Sequence, residues 1–145
     1  MEIKIKRLKE DAIIPTHGSK YSAGYDLSAC VDRPITIPAH ETVKIGTGLA
    51  IEVPEGYFGA IVARSGLSTR QGLRLANCLG VCDSDYRGEY IVALHNDLNE
   101  AQLIMPGQRI AQLIIMPYLP IEFKEVDELT ETERGSGGFG STGEK

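Results

Sequence analysis

Cysteine is scarce in this sequence: Cys30, Cys78 and Cys82 are an odd number, without the paired short spacings of a structural zinc site. His17, His40 and His95 stand far from one another and add no ligand cluster. Reduced thiols, packed in or near the core of a cytosolic protein, are therefore expected. No apolar run approaches the ~18–20 residues that cross a bilayer, so a membrane protein is not expected. Residues 1–7 alternate charged and apolar side chains and hold no apolar h-region, so no secretory signal is expected either. Basic residues are in no excess. The net charge is −5, and residues 122–133 alone carry −5, while residues 1–121 hold 12 bases against 13 acids. Such a body lacks the clustered basic face of a duplex nucleic-acid binder. It leaves room for an anionic small molecule, which a few placed arginines can bind.

What the chain has in quantity is punctuation: 16 Gly and 7 Pro, about 16% of the residues against roughly 12% in average usage. Its 145 residues suit one domain, and that length buries roughly two-thirds of the chain surface, enough for a core without staples. The apolar pattern is short and strand-like. Ile3 and Ile5 alternate with Lys4 and Lys6, and residues 35–37 lie between Pro34 and Pro38, which exclude a helix there. Val43 and Ile45 alternate before Gly46, and Leu49, Ile51 and Val53 alternate before the 54–56 turn. Runs at 58–62, 73–75, 90–94, 110–115 and 121–126 continue the series. The expectation is an all-β, jelly-roll-like barrel or sandwich of short strands.

Residues 89–105 test that reading, because Ile91, Leu94, Leu98, Ala101 and Met105 follow helical spacing with no Gly or Pro between them. The β-rich 90–92 run and the Asn/Asp cluster at 95–99 favour two strands joined by a turn. One short helix is expected after Arg64, with Ser65 capping residues 66–70. Residues 134–143 contain five glycines and cannot form a core. Alone they read as a disordered tail; functionally they read as a flexible lid whose amides, Ser141, Thr142 and Arg134 wrap phosphates while Phe139 covers a flat ring.

Five segments together resemble one family. They are Ala23-Gly-Tyr-Asp-Leu27, Ala63-Arg-Ser-Gly-Leu-Ser68, residues 77–89 (Asn-Cys-Leu-Gly-Val-Cys-Asp-Ser-Asp-Tyr-Arg-Gly-Glu), Gly107-Gln-Arg-Ile-Ala-Gln112 and Arg134-Gly-Ser-Gly-Gly-Phe-Gly-Ser-Thr142. Their order and spacing are similar to those of the homotrimeric dUTP diphosphatases (dUTPases). Ala63 stands where the family usually has Pro, Cys82 where an aliphatic is common, and Gln108 where an acid is common.

The resemblance implies Mg2+-dependent hydrolysis of dUTP to dUMP and pyrophosphate in a cytoplasmic homotrimer with shared active sites. It implies a β domain over residues 1–133 and a flexible arm over 134–145 that closes an active site on a neighbouring subunit. Asp83, which local sequence alone reads as a turn aspartate capping its own backbone, would orient and deprotonate the attacking water. Asn77, Gly80 and Val81 would form the uracil site, in a hairpin whose backbone groups mimic base pairing. Tyr86 would lie against the deoxyribose and Phe139 against the base. Arg64, Ser65, Gly66 and Gln112, with Arg134, Gly138, Ser141 and Thr142 from the arm, would hold phosphates. Asp26 would hold Mg2+ through a water. Arg87 and Arg109 read as structural or interfacial. A dCTP deaminase of the same fold is a near rival, but no carboxylate is evident for proton shuttling at the base. A non-catalytic binding module is the rival from another class.

Overall fold

The computed structural model describes residues 1–138. Among them the chain forms twelve short strands and one helix, in the order its apolar pattern sets out. The first six strands are β1 (Lys4–Arg7), β2 (Thr16–His17), β3 (Tyr25–Ser28), β4 (Ile35–Ile37), β5 (Thr42–Gly46) and β6 (Leu49–Glu52). β7 (Tyr57–Val62) leads into the helix α1 (Ser65–Gln71), which is followed by β8 (Leu73–Leu75) and β9 (Gly80–Cys82). β10 (Ile91–Asn96), β11 (Gln102–Ile104) and β12 (Arg109–Pro117) complete the fold.

All pairings are antiparallel. The largest sheet runs β2-β3-β12-β7-β9, a second runs β5-β10-β8, and the pairs β1-β6 and β11-β4 flank them. The result is the expected jelly-roll-like architecture. Alternation decides which face goes inside: Leu49 and Ile51 of β6 are buried, as are Val92, Leu94 and Asn96 of β10. Ile51, Val92 and Leu94 meet Leu27, Ile45, Tyr90 and Leu113 in the main core, and Leu49 packs with Ala12 and Cys30 in a smaller one; each large apolar side chain contributes about 1.5–3 kcal/mol by leaving water.

Residues 89–105 form two strands and not a helix, as the β-rich start predicts, yet β10 and β11 do not pair with each other. Asn96 explains the turn between them. Fully buried, it donates through Nδ2 to the carbonyls of Ile37 (3.1 Å), Pro38 (3.2 Å) and Glu100 (2.8 Å), while its Oδ1 accepts from the Leu98 amide (3.0 Å). Those four bonds satisfy the side chain and hold the end of β10 against the end of β4.

Four expectations need correction. Residues 121–126 form no strand: Ile121 and Phe123 are 71% and 90% exposed, and among the described residues no strand pairs with them. Ser65 is not the cap of α1; Arg64 occupies the N-cap position without a side-chain cap bond, and Ser65 is the first helical residue. Cys78 is exposed, although Cys30 and Cys82 are buried as expected and all three are free thiols. Strands β2, β3 and β9 were not anticipated, because two to four residues are too few to display a period. The helix ends where Gly72 adopts φ 60°, and a Cβ there would come within 2.6 Å of Leu98. No helix among the described residues is long and apolar enough to cross a membrane.

Candidate active site

Two constellations gather most of the residues singled out above. The first lies along β9, which pairs with β7 in the register Gly59↔Cys82, Ala60↔Val81 and Ile61↔Gly80. Immediately past Cys82 the chain turns, and the Tyr86 amide closes that turn on the Asp83 carbonyl at 3.1 Å. Arg87 locks it from below, donating through Nη1 to the carbonyls of Ser84 (2.7 Å) and Tyr86 (3.0 Å). A cleft of about 220 Å³ results, and Asn77, Gly80, Val81, Asp83 and Tyr86 all line it.

The local reading of Asp83 as a self-capping turn residue fails here. Its backbone carbonyl closes the turn, and the carboxylate has no hydrogen-bond or ion-pair partner among the described residues. It is exposed and free to accept a proton or orient a water. Tyr86 lies across the cleft with its hydroxyl donating to the Glu89 carbonyl (2.9 Å) and its ring tilted against Tyr90, 6.1 Å between centroids. Burial pushes the Cys82 thiol and the Tyr90 phenol up from their ordinary values, so both stay protonated under the cleft.

The expected base-pairing hairpin takes a different form. β8 and β9 belong to different sheets and do not pair with each other. Asn77 stands in the loop between them, where Cys78 takes φ 59° and the Leu79 amide bonds back to the Asn77 carbonyl at 2.6 Å.

The second constellation centres on Asp26, 8% exposed in β3. Its Oδ1 accepts from Arg64 Nε and its Oδ2 from Arg109 Nη1, each at 3.0 Å. Arg64 also reaches the Arg109 carbonyl at 3.3 Å. Gln112 sits directly opposite Asp26 in the β12–β3 pair. In a regular strand Arg109 and Gln112, three apart, would point to opposite faces. A β-bulge between Arg109 and Ala111 inserts one residue and turns both toward Asp26. Gly24 leaves room for Gln112, since a Cβ there would stand 3.1 Å from its Nε2. Ser65 and Gly66 follow Arg64 at the start of α1. With seven residues that helix has a small dipole, so the guanidinium supplies most of the positive charge.

Arg109 is the functional-looking residue that sequence reasoning set aside; only the bulge reveals its place. Arg134 folds back on the Gly137 carbonyl at 2.9 Å and is exposed, and Gly138 has nothing within 4 Å of where a Cβ would stand, so neither joins a constellation within the chain. Phe139, Ser141 and Thr142 lie outside the described residues. An apolar groove of about 480 Å³ lined by Ile3, Ile5, Ile14 and Ile115 touches the first motif at Ala23 and Tyr25 but holds none of the candidate site residues.

Asp26 is also the candidate metal residue. Among the described residues no three His, Cys, Asp or Glu side chains converge to hold an ion by themselves. Each Asp26 oxygen gives one lone pair to an arginine and retains another for a water. That donor set fits an ion bound mainly by substrate oxygens and touched by the protein through water.

A family model described as dUTPase matches residues 10–143. The deoxyuridine 5'-triphosphate nucleotidohydrolase of Nautilia profundicola is 48% identical over 143 residues, which cover 99% of both chains. Among solved structures, the dUTPase of Staphylococcus bacteriophage 80alpha with dUPNHPP superposes with a TM-score of 0.84 at 30% identity, over 98% of each chain. A variant dUTPase from phage phi11 of S. aureus, with a coordinated structural Mg(II) ion, gives 0.79 at 26% identity over 88% of this chain and 98% of its own. The cleft at Asp83 and the arginine cluster at Asp26 are thus carried by a chain that belongs to the dUTPase family.

Proposed function

We infer that this protein hydrolyses dUTP to dUMP and pyrophosphate, lowering dUTP and supplying dUMP for dTMP synthesis. The observation that carries the reading is the unpartnered Asp83 carboxylate at the mouth of a nucleoside-sized cleft, in a chain of this family. Asp83 orients a water in line with the α-phosphorus and takes its proton as the new O–P bond forms. The bond from the α-phosphorus to the bridging oxygen breaks, and its electron pair leaves with pyrophosphate. Asn77, Gly80 and Val81 face the base, Tyr86 the deoxyribose. Arg64, Ser65, Gly66 and Gln112 take the phosphates, and Asp26 holds Arg64 in place while meeting Mg2+ through a water. The ion supplies charge neutralisation on the triphosphate and fixes its conformation.

The site is shared between copies. Asp83 follows Cys82, opposite Gly59, whereas Arg64 lies just past the other end of β7. At ~3.3 Å per residue the two are about 20 Å apart in one chain, far beyond the ~3–3.5 Å contacts that a reacting phosphate requires. A neighbouring copy brings its arginine cluster to this Asp83; the separation supports an assembly of more than one chain, and the resemblance to the dUTPases makes that assembly a homotrimer. Residues 134–145, including Arg134, Gly138, Phe139, Ser141 and Thr142, form the arm that closes a neighbour's site. The free thiols suit a cytoplasmic location.

The deciding experiment supplies dUTP and dCTP separately, with and without Mg2+, and measures pyrophosphate and ammonia. Pyrophosphate from dUTP that requires Mg2+, with no ammonia from dCTP, is expected. Ammonia release would move the assignment to the deaminase, and no product from either would leave a binding module.

A further inference from the structure

Glu89 closes the motif that carries Asp83 and Tyr86, and nothing in the reaction above uses its carboxylate. Its surroundings give it a task. Oε1 accepts the Gly48 amide at 2.8 Å, in the turn between β5 and β6. That turn is held from several sides. Thr47, fully buried, donates through Oγ1 to the Tyr90 carbonyl at 2.7 Å, the Tyr90 amide bonds to the Leu49 carbonyl at 2.8 Å, and the Cys30 amide bonds to the Gly46 carbonyl at 2.9 Å. Gly48 stands at φ 68° with Cys30 and Ala12 packed where a side chain would be, and Gly46 leaves the space that the Glu89 carboxyl fills. The backbone carbonyl of the same Glu89 accepts the Tyr86 hydroxyl at 2.9 Å. Gly88 lets the phenol lie back over the chain, since a Cβ there would collide with that hydroxyl. Glu89 therefore ties the wall of the nucleoside cleft to the most firmly held turn beside it.

We propose that Glu89 is a positioning residue for sugar specificity: its carboxylate anchors the 86–89 segment on the Gly48 amide, so that Tyr86 is held rigidly enough to exclude a 2′-hydroxyl. The inference rests on the reading that Tyr86 faces the deoxyribose. The physical need is clear. An apolar slot by itself rejects an added hydroxyl only ~100-fold, because the slot relaxes around it. A wall discriminates well only when its supporting groups hold it to within about 0.5 Å. Tyr86 is 43% exposed, so packing alone does not fix it.

The experiment compares kcat/KM for dUTP and for UTP in the full chain and in Glu89→Gln, Glu89→Ala, Tyr86→Phe and Tyr86→Ala. Glu89→Gln keeps an oxygen that accepts the Gly48 amide and should preserve the dUTP/UTP ratio. Glu89→Ala should lower the ratio about tenfold, mainly through faster turnover of UTP. Tyr86→Phe, which loses only the hydroxyl bond to the Glu89 carbonyl, should lower it in the same direction, and a variant combining Glu89→Ala with Tyr86→Phe should fall no further than the worse single one. A wild-type ratio in Glu89→Ala, beside a lost ratio in Tyr86→Ala, overturns the anchor and leaves the sugar reading standing. A wild-type ratio in Tyr86→Ala overturns both. Should Glu89→Ala not fold, a wild-type ratio in Tyr86→Phe overturns the anchor by itself.

Discussion

Asp83 and Cys30 show what single residues do when the fold decides their partners. Asp83 follows the end of β9 with its carboxylate unclaimed among the described residues, in a turn closed by backbone and Arg87. Asp83→Asn should therefore keep the turn and bind dUpNHpp with nearly unchanged affinity by calorimetry. Its kcat on dUTP should fall by about 10²–10⁴-fold, the usual worth of a general base; near-normal turnover would remove Asp83 from the chemistry. Cys30 is the opposite case. Burial, then the hydrogen bond from Sγ to Asp11 at 3.2 Å, pushes its thiol from 9.0 up to about 11. The unfolded chain releases this proton near pH 9 and the folded chain only near 11. Stability from this group is thus complete below about pH 9 and lost as pH rises toward 11. Cys30→Ser keeps a donor to Asp11 without titrating in that window. Its melting temperature should fall less steeply between pH 9 and 11 than that of the parent, and an identical slope would refute the assignment.

Elements place the phosphate side of the site, and two of them do so by local irregularity. The bulge in β12 brings Arg109 and Gln112 to one face, and α1 begins just after Arg64 with Gly66 in its first turn. Glycine there is locally unfavourable: alanine should stabilise the helix by about 0.5–1 kcal/mol. The new Cβ would stand 3.0 Å from Arg70 Nη2, the mobile end of a long side chain that can move aside. The proposed phosphate contact supplies a reason for glycine, since there the backbone would have to approach an anion closely. Gly66→Ala should leave the melting temperature equal or higher while raising KM for dUTP about tenfold, the worth of one lost hydrogen bond. An unchanged KM would take Gly66 out of the phosphate site.

At the scale of the whole molecule, the proposed shared site makes one chain incomplete as a catalyst. Its Asp83 and its Arg64 sit at opposite ends of β7, and residues 119–129 expose Leu119, Ile121, Phe123 and Leu129. Apolar exposure of that extent is what the proposed trimer would cover. Light scattering should return three times the chain mass. Mixing Asp83→Asn chains with chains ending at Glu133 should restore part of the dUTP turnover, because mixed assemblies contain sites with both an intact Asp83 and an intact arm. Confirmed exchange without any recovered activity would reject the shared site.

The resemblance of five segments, not local chemistry, singled out Asp83, whereas most strand positions, the single helix after Arg64 and the near-neutral body were legible in the residues themselves. They follow from period, punctuation and charge, which act between near neighbours. Which strands pair was not legible, nor was the bulge that adds Arg109 to Asp26, nor the separation of β8 and β9 into different sheets. Residues 121–126 show the limit most plainly: their composition suits a strand, yet a strand exists only where another edge accepts its hydrogen bonds. Local chemistry thus determined the parts, the resemblance of the five segments implied the class of reaction, and long-range pairing decided which side chains meet.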